Sequence, residues 1–121
     1  MINKDFQLFI LRSKLLLLFL FPLTFFSQDN DRLALVIGNS NYLHMDRLDN
    51  PVRDAELIAS TLDSVGFKVM LALDLPNQDS LINTVYRFQD MIDSLETDVV
   101  LVYYAGHGFE IDQEAYLIPT G

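Results

Sequence analysis

Asp98-Val99-Val100-Leu101-Val102-Tyr103-Tyr104-Ala105-Gly106-His107-Gly108 is a mostly apolar run that stops at two glycines holding one imidazole between them. An apolar run without polar alternation is what a β-strand covered on both faces requires. The glycines permit conformations and close approaches denied to other residues, and an imidazole exchanges protons near neutral pH. A histidine satisfied by hydrogen bonds of its loop, with glycines serving only the turn, fits the tripeptide equally well.

Working outward, Leu33-Ala34-Leu35-Val36-Ile37 is a second continuous apolar run, closed by Gly38. A polar loop follows from Asn39 to Asn50 and contains Tyr42, Leu43, His44 and Met45. Asn50-Pro51 reads as a helix start, with Asn as N-cap and Pro at the first helical position. Ala55, Ile58, Leu62 and Val65 then recur at steps of three and four, an apolar helix face that Gly66 ends. Phe67 to Leu73 predicts another strand, and Asp74 to Asp79, with Pro76, a turn. Leu81, Val85, Phe88, Ile92 and Leu95 mark a second helix, and Ala115-Tyr116-Leu117-Ile118 a short strand before Pro119.

Strands alternating with helices predict an α/β fold, a mainly parallel sheet with helices on both faces. Loops beyond the carboxyl ends of such strands are where chemistry usually sits. Two segments fall there: Gly38-Asn39-Ser40-Asn41 and Gly106-His107-Gly108. The first lacks the lysine of a P-loop and the G-x-G-x-x-G spacing, which argues against a nucleotide site. His44, in a polar loop without special surroundings, is expected to have no catalytic role.

The 121 residues suffice for one small domain, and half of them are apolar. Part of that share lies in the first 28 residues, where Lys4, Arg12 and Lys14 precede an apolar stretch from Leu15 to Phe26. That stretch is about 12 residues, against roughly 20 for a bilayer span. Residues 1–27 are therefore expected to be a signal peptide, with export to the periplasm or outside the cell, and residues 28–32 a linker. A membrane anchor over residues 6–26 is the alternative. Three of the eight basic residues and one of the seventeen acidic ones lie in that segment. The remainder thus carries 5 basic against 16 acidic residues, a net charge of −11. Such a surface is unsuited to nucleic acid and attracts cationic substrates. No cofactor or metal site is expected, and with no cysteine there is neither a disulfide nor a thiolate zinc site.

Four segments together carry a resemblance: Leu35-Val36-Ile37-Gly38-Asn39-Ser40-Asn41-Tyr42, Leu48-Asp49-Asn50-Pro51-Val52-Arg53-Asp54-Ala55, Val65-Gly66-Phe67-Lys68-Val69, and Leu101-Val102-Tyr103-Tyr104-Ala105-Gly106-His107-Gly108. In this order they resemble the large-subunit (p20) half of the caspase-like cysteine peptidases, most of all the paracaspases and related bacterial proteins. The resemblance runs from about Arg32 to Gly121 and implies a caspase-like sandwich over residues 33–121. By that resemblance His107 is the dyad histidine, Gly108 supplies an oxyanion N–H, and Asp54 lies in the S1 pocket opposite a basic P1 residue. The implied partner is a protein or peptide substrate cut after Arg or Lys. Asp54 has a second reading, since a carboxylate in the first turn of a helix is stabilised by the helix dipole.

The family's cysteine is expected roughly 50 residues beyond its histidine. Only 14 residues follow His107, and none of the 121 is cysteine. A histidine base without a nucleophile has nothing to activate, so these residues alone are expected to be inactive, a p20 unit truncated at its C-terminus. A non-catalytic caspase-like module that binds a partner is the alternative.

Overall fold

The computed structural model describes residues 31–121; residues 1–27, expected from the sequence to be a signal peptide, and residues 28–30 lie outside them. In chain order the elements are β1 (Asp31–Gly38), α1 (Pro51–Ser64), β2 (Phe67–Leu73), α2 (Gln78–Ser94), β3 (Thr97–Ala105), β4 (Gly108–Ile111) and β5 (Glu114–Leu117). The first three strands form a parallel sheet in the order β2-β1-β3. The fold is thus α/β with a mainly parallel sheet, in keeping with the sequence.

β1 is central, and its residues Leu33 to Gly38 are buried. Its two faces meet different helices because successive side chains alternate. Leu33, Leu35 and Ile37 pack with Leu75 and with Phe88 of α2. Ala34 and Val36 pack with Ala55 and Ala59 of α1. Small residues on the second face bring α1 close. A Cβ at Gly38 would lie 2.6 Å from both the Ala55 Cβ and the Pro51 carbonyl oxygen.

β1 begins two residues before the apolar run, held there by polar contacts. Lys68 of β2 pairs with Asp31 at 2.7 Å, and Arg32 donates to the Val65 carbonyl at 2.7 Å while lying over the Phe67 ring.

The helices match the expected periodicity with local differences. Ala59 is buried in α1 while Val65, beyond its end, is 53% exposed. In α2 the buried inner positions are Thr84 and Phe88, and Val85 is exposed. Thr84 enters the interior because its hydroxyl donates to the Ser80 carbonyl at 2.8 Å.

The start of α1 departs from the sequence reading. Asn50 is the N-cap residue but its side chain makes no capping bond. The acceptor comes from the far end of the same loop: Ser40 Oγ takes the Val52 N–H at 3.1 Å. α2 carries its own cap, with Asn77 and Ser80 exchanging side-chain and backbone bonds in a capping box.

The expected short strand is β5, and it does not join the main sheet. It pairs antiparallel with β4 in a hairpin, turned by Asp112 and Gln113, both at positive φ (51° and 69°). That is a primed two-residue turn, whose twist suits a hairpin. Phe109 and Tyr116 stack across it at 5.0 Å. Among the described residues β3 is an edge strand, and Val99, Val100 and Val102 on it are exposed. No described helix is long and apolar enough to cross a membrane.

Candidate active site

The sheet brings three loops to its carboxyl edge: Asn39–Asn50 after β1, Asp74–Asn77 after β2, and Gly106-His107 after β3. Asn39, fully buried, ties all three regions together. Its N–H donates to the Ala105 carbonyl at 2.9 Å, its Oδ1 accepts the Leu75 N–H at 3.0 Å, and its Nδ2 donates to the Ile118 carbonyl at 3.2 Å. A buried side-chain amide is tolerable only when so satisfied.

Asp74 anchors the first loop from outside. Its carboxylate accepts the N–H groups of Ser40 (2.7 Å) and Asn41 (3.0 Å) and the Asn41 side-chain amide. Partial burial pushes the Asp74 carboxyl up, but the bonds from Asn41 and Ser40, with Arg47 assisting, outweigh it and hold the group below its ordinary value. The segment Gly38-Asn39-Ser40-Asn41, at the chemically favoured edge, is thereby committed to holding loops together.

His107 stands two residues beyond β3 and is half-buried. Its Nε2 lies 2.8 Å from the main-chain oxygen of Asp46, in the loop after β1. A carbonyl oxygen only accepts, so Nε2 is the protonated nitrogen and Nδ1 of the neutral ring keeps its lone pair. The Tyr42 ring meets the imidazole edge-on, centroids 4.5 Å apart. The Tyr42 hydroxyl accepts the His107 N–H at 2.7 Å, and the Tyr104 hydroxyl donates to the His107 carbonyl at 2.7 Å. Burial first, then the hydrogen bond with Tyr42, push the Tyr104 phenol above its ordinary value, so it stays protonated.

The glycines beside His107 act by size and not by unusual backbone. Neither has positive φ. A Cβ on Gly106 would lie 2.6 Å from the Tyr42 hydroxyl and 2.7 Å from that of Tyr104.

Gly108 pairs with Leu117, and the flanking bond runs from the Ile118 N–H to the His107 carbonyl at 3.1 Å. That makes Gly108–Leu117 a non-hydrogen-bonded pair, with the Gly108 N–H turned away from β5. Asp54 lies exposed in the first turn of α1. Asp46, eight residues before it, reaches His107 through its main-chain oxygen, whereas Asp54 itself makes no hydrogen bond or ion pair with His107. Asp54 has no ion-pair partner among the described residues. His44 is exposed and takes no part in these contacts. Among the described residues, no group of three or more His, Asp or Glu side chains is placed to hold a metal ion.

Sequence reasoning missed Tyr42, Tyr104 and the Asp46 carbonyl. The aromatic pair just before the glycines was a visible signal. A backbone carbonyl leaves none.

A model for the caspase domain of peptidase C14 matches residues 31–120. The chain belongs to this family. It is also 35% identical over 90 residues to the human mucosa-associated lymphoid tissue lymphoma translocation protein 1, covering 74% of this chain and 11% of that protein. The mouse homolog is 34% identical over 90 residues, covering 74% of this chain and 10% of its own length. The chain thus spans about a tenth of the curated relatives it matches.

Proposed function

We propose that this caspase domain contributes the general base and the oxyanion donor of a cysteine endopeptidase that cleaves after Arg or Lys. The observation that carries the reading is the bond from His107 Nε2 to the Asp46 carbonyl. It points the free Nδ1 lone pair elsewhere, available to a thiol. In the proposed reaction Nδ1 takes the thiol proton and the thiolate attacks the scissile carbonyl. Charge then develops on the carbonyl oxygen, within reach of the outward Gly108 N–H, and the imidazolium protonates the leaving amine. Water hydrolyses the thioester in the second half of the cycle.

The thiol must come from residues other than these 121, which include no cysteine. The free edge of β3 supports a place for it. A further strand added parallel to β3 would cover Val99, Val100 and Val102 and end beside His107. Asp54, exposed at the start of α1, supplies a carboxylate for a cationic P1 side chain, and the acidic surface favours the same substrates.

The test is a peptidase assay on the gene product that joins this domain to its cysteine, using fluorogenic peptides with Arg, Lys or Asp at P1. Cleavage after Arg and Lys, abolished by His107→Ala and weakened for these peptides by Asp54→Asn, is expected. A coding sequence with no cysteine after this domain, or full activity in His107→Ala, refutes the proposal.

A further inference from the structure

We propose that the hydroxyls of Tyr42 and Tyr104 close a hydrogen-bond circuit on His107 that fixes both its imidazole and the Gly108 N–H, making the two tyrosines positioning residues. The proposal rests on the roles given above to His107 and Gly108.

The proton count closes. The His107 N–H goes to Tyr42 Oη at 2.7 Å, the Tyr42 O–H to Tyr104 Oη at 3.3 Å, and the Tyr104 O–H to the His107 carbonyl at 2.7 Å. Each donor is used once, and the two shortest bonds both end on His107. The Ile118 carbonyl accepts from Asn39 Nδ2 and has a second lone pair, 3.2 Å from Tyr42 Oη and 3.0 Å from Tyr104 Oη, so it shares these hydroxyl protons, while the two 2.7 Å bonds remain the shortest in the circuit. A chain of hydrogen bonds polarises its members in the same sense, so the closed form reinforces itself.

The two hydroxyls come from different parts of the fold. Tyr42 belongs to the loop that also presents the Asp46 carbonyl, and Tyr104 belongs to β3. The loop therefore grips His107 at three points: its N–H, its ring edge and its Nε2. Losing the Tyr42 hydroxyl bond frees the backbone on which the Nε2 contact depends.

The other consequence concerns Gly108. The His107 carbonyl and the Gly108 N–H belong to one peptide unit, and in a trans peptide they point in opposite directions. The Tyr104 hydroxyl and the Ile118 N–H both hold that carbonyl. A peptide flip that turned the Gly108 N–H inward would break both bonds. Tyr104 thus sets the direction of the proposed oxyanion donor from the opposite end of its peptide.

Amide and ring-proton NMR on the uniformly 15N-labelled protein tests this without any need for peptidase activity. In the wild type the His107 amide is expected to exchange as slowly as the Asn39 amide, and the His107 Nε2–H to give a visible, slowly exchanging resonance. Tyr42→Phe keeps the ring contact and removes the hydroxyl. It is expected to speed His107 amide exchange about tenfold and broaden the Nε2–H signal, with the Ala34 and Val36 amides of β1 unchanged. Tyr104→Phe is expected to move the Gly108 amide resonance. A wild-type His107 amide that exchanges like an unfolded chain overturns the proposal, whatever the variants do. So does a Tyr42→Phe protein whose His107 signals match the wild type. Should a variant fail to fold, wild-type protection and the other variant decide. A peptidase failure with these signatures intact removes the proposed function and leaves the circuit standing.

Discussion

Replacing Gly106 by Ala should break the contacts around His107, and the size of the effect follows from three distances. The new Cβ would sit 2.6 Å from the Tyr42 hydroxyl, 2.7 Å from the Tyr104 hydroxyl and 3.0 Å from Tyr104 Cζ. These are about 0.5–1 Å short of a relaxed contact. Both phenols must retreat, and a retreat of that size stretches the two 2.7 Å bonds to His107 to about 3.2–3.7 Å, where they weaken or break. Two lost bonds cost about 1 kcal/mol each, and residual crowding adds about 1–3 kcal/mol. A stiffer unfolded chain returns about 0.4–1 kcal/mol, since Gly106 has no positive φ. The net expectation is a destabilisation of about 2–5 kcal/mol by the same principles. Urea unfolding followed by circular dichroism reads it directly. The cause is isolated by repeating the substitution in a Tyr42→Phe, Tyr104→Phe background, where the obstructing oxygens are gone. There Gly106→Ala should cost less than about 1 kcal/mol, a coupling well above additive scatter. Equal costs in the two backgrounds would falsify the account of Gly106 as room made for two hydroxyls.

Three further outcomes follow from the same structure. Ser40→Ala removes the acceptor that caps α1 at Val52 and should cost about 1–2 kcal/mol, whereas Asn50→Ala, whose side chain makes no cap bond, should cost less; equal losses in urea unfolding contradict this. Leu35→Ala opens the face of the central strand against α2 and should cost about 2–5 kcal/mol; a loss under 1 kcal/mol would place the core elsewhere. The Asp74 carboxyl is depressed in the folded state, so its stabilising contribution is complete above its ordinary value of 3.8 and fades as pH falls through the lower folded value. Urea stability measured against pH should therefore show Asp74→Asn weaker than wild type at neutral pH and converging with it in acid. A gap that persists unchanged to low pH contradicts the anchoring role.

Much of this was legible in the residue order, and the reasons are local. Apolar runs at Leu33–Ile37, Val69–Leu73 and Val99–Tyr104 read as strands of a covered sheet, so layers and parallel pairing followed, although only the central β1 is buried throughout its run. Spacings of three and four gave the helices. Their inner faces were read less well where a residue's neighbours, and not its type, set its burial. Thr84 goes inside because Ser80 satisfies its hydroxyl, while Val85 stays out. The hairpin of β4 and β5 was half-seen, since its first strand opens on the glycine that closes the histidine motif.

The sequence alone determined that an imidazole would stand at the carboxyl end of a core strand, because hydrophobic pattern and glycine punctuation are properties of nearest neighbours along the chain. Which nitrogen of that imidazole carries the proton, what caps α1 and why Gly106 has no side chain were decided only by folding. Each depends on an atom supplied by a distant segment: the Asp46 carbonyl oxygen 61 residues from His107, the Ser40 hydroxyl 12 residues from Val52, and the Tyr42 hydroxyl 65 residues from the His107 N–H. Hydrogen bonds of that range are directional and close over about 3 Å. No periodicity encodes them, and the packed sheet is what brings their partners within reach.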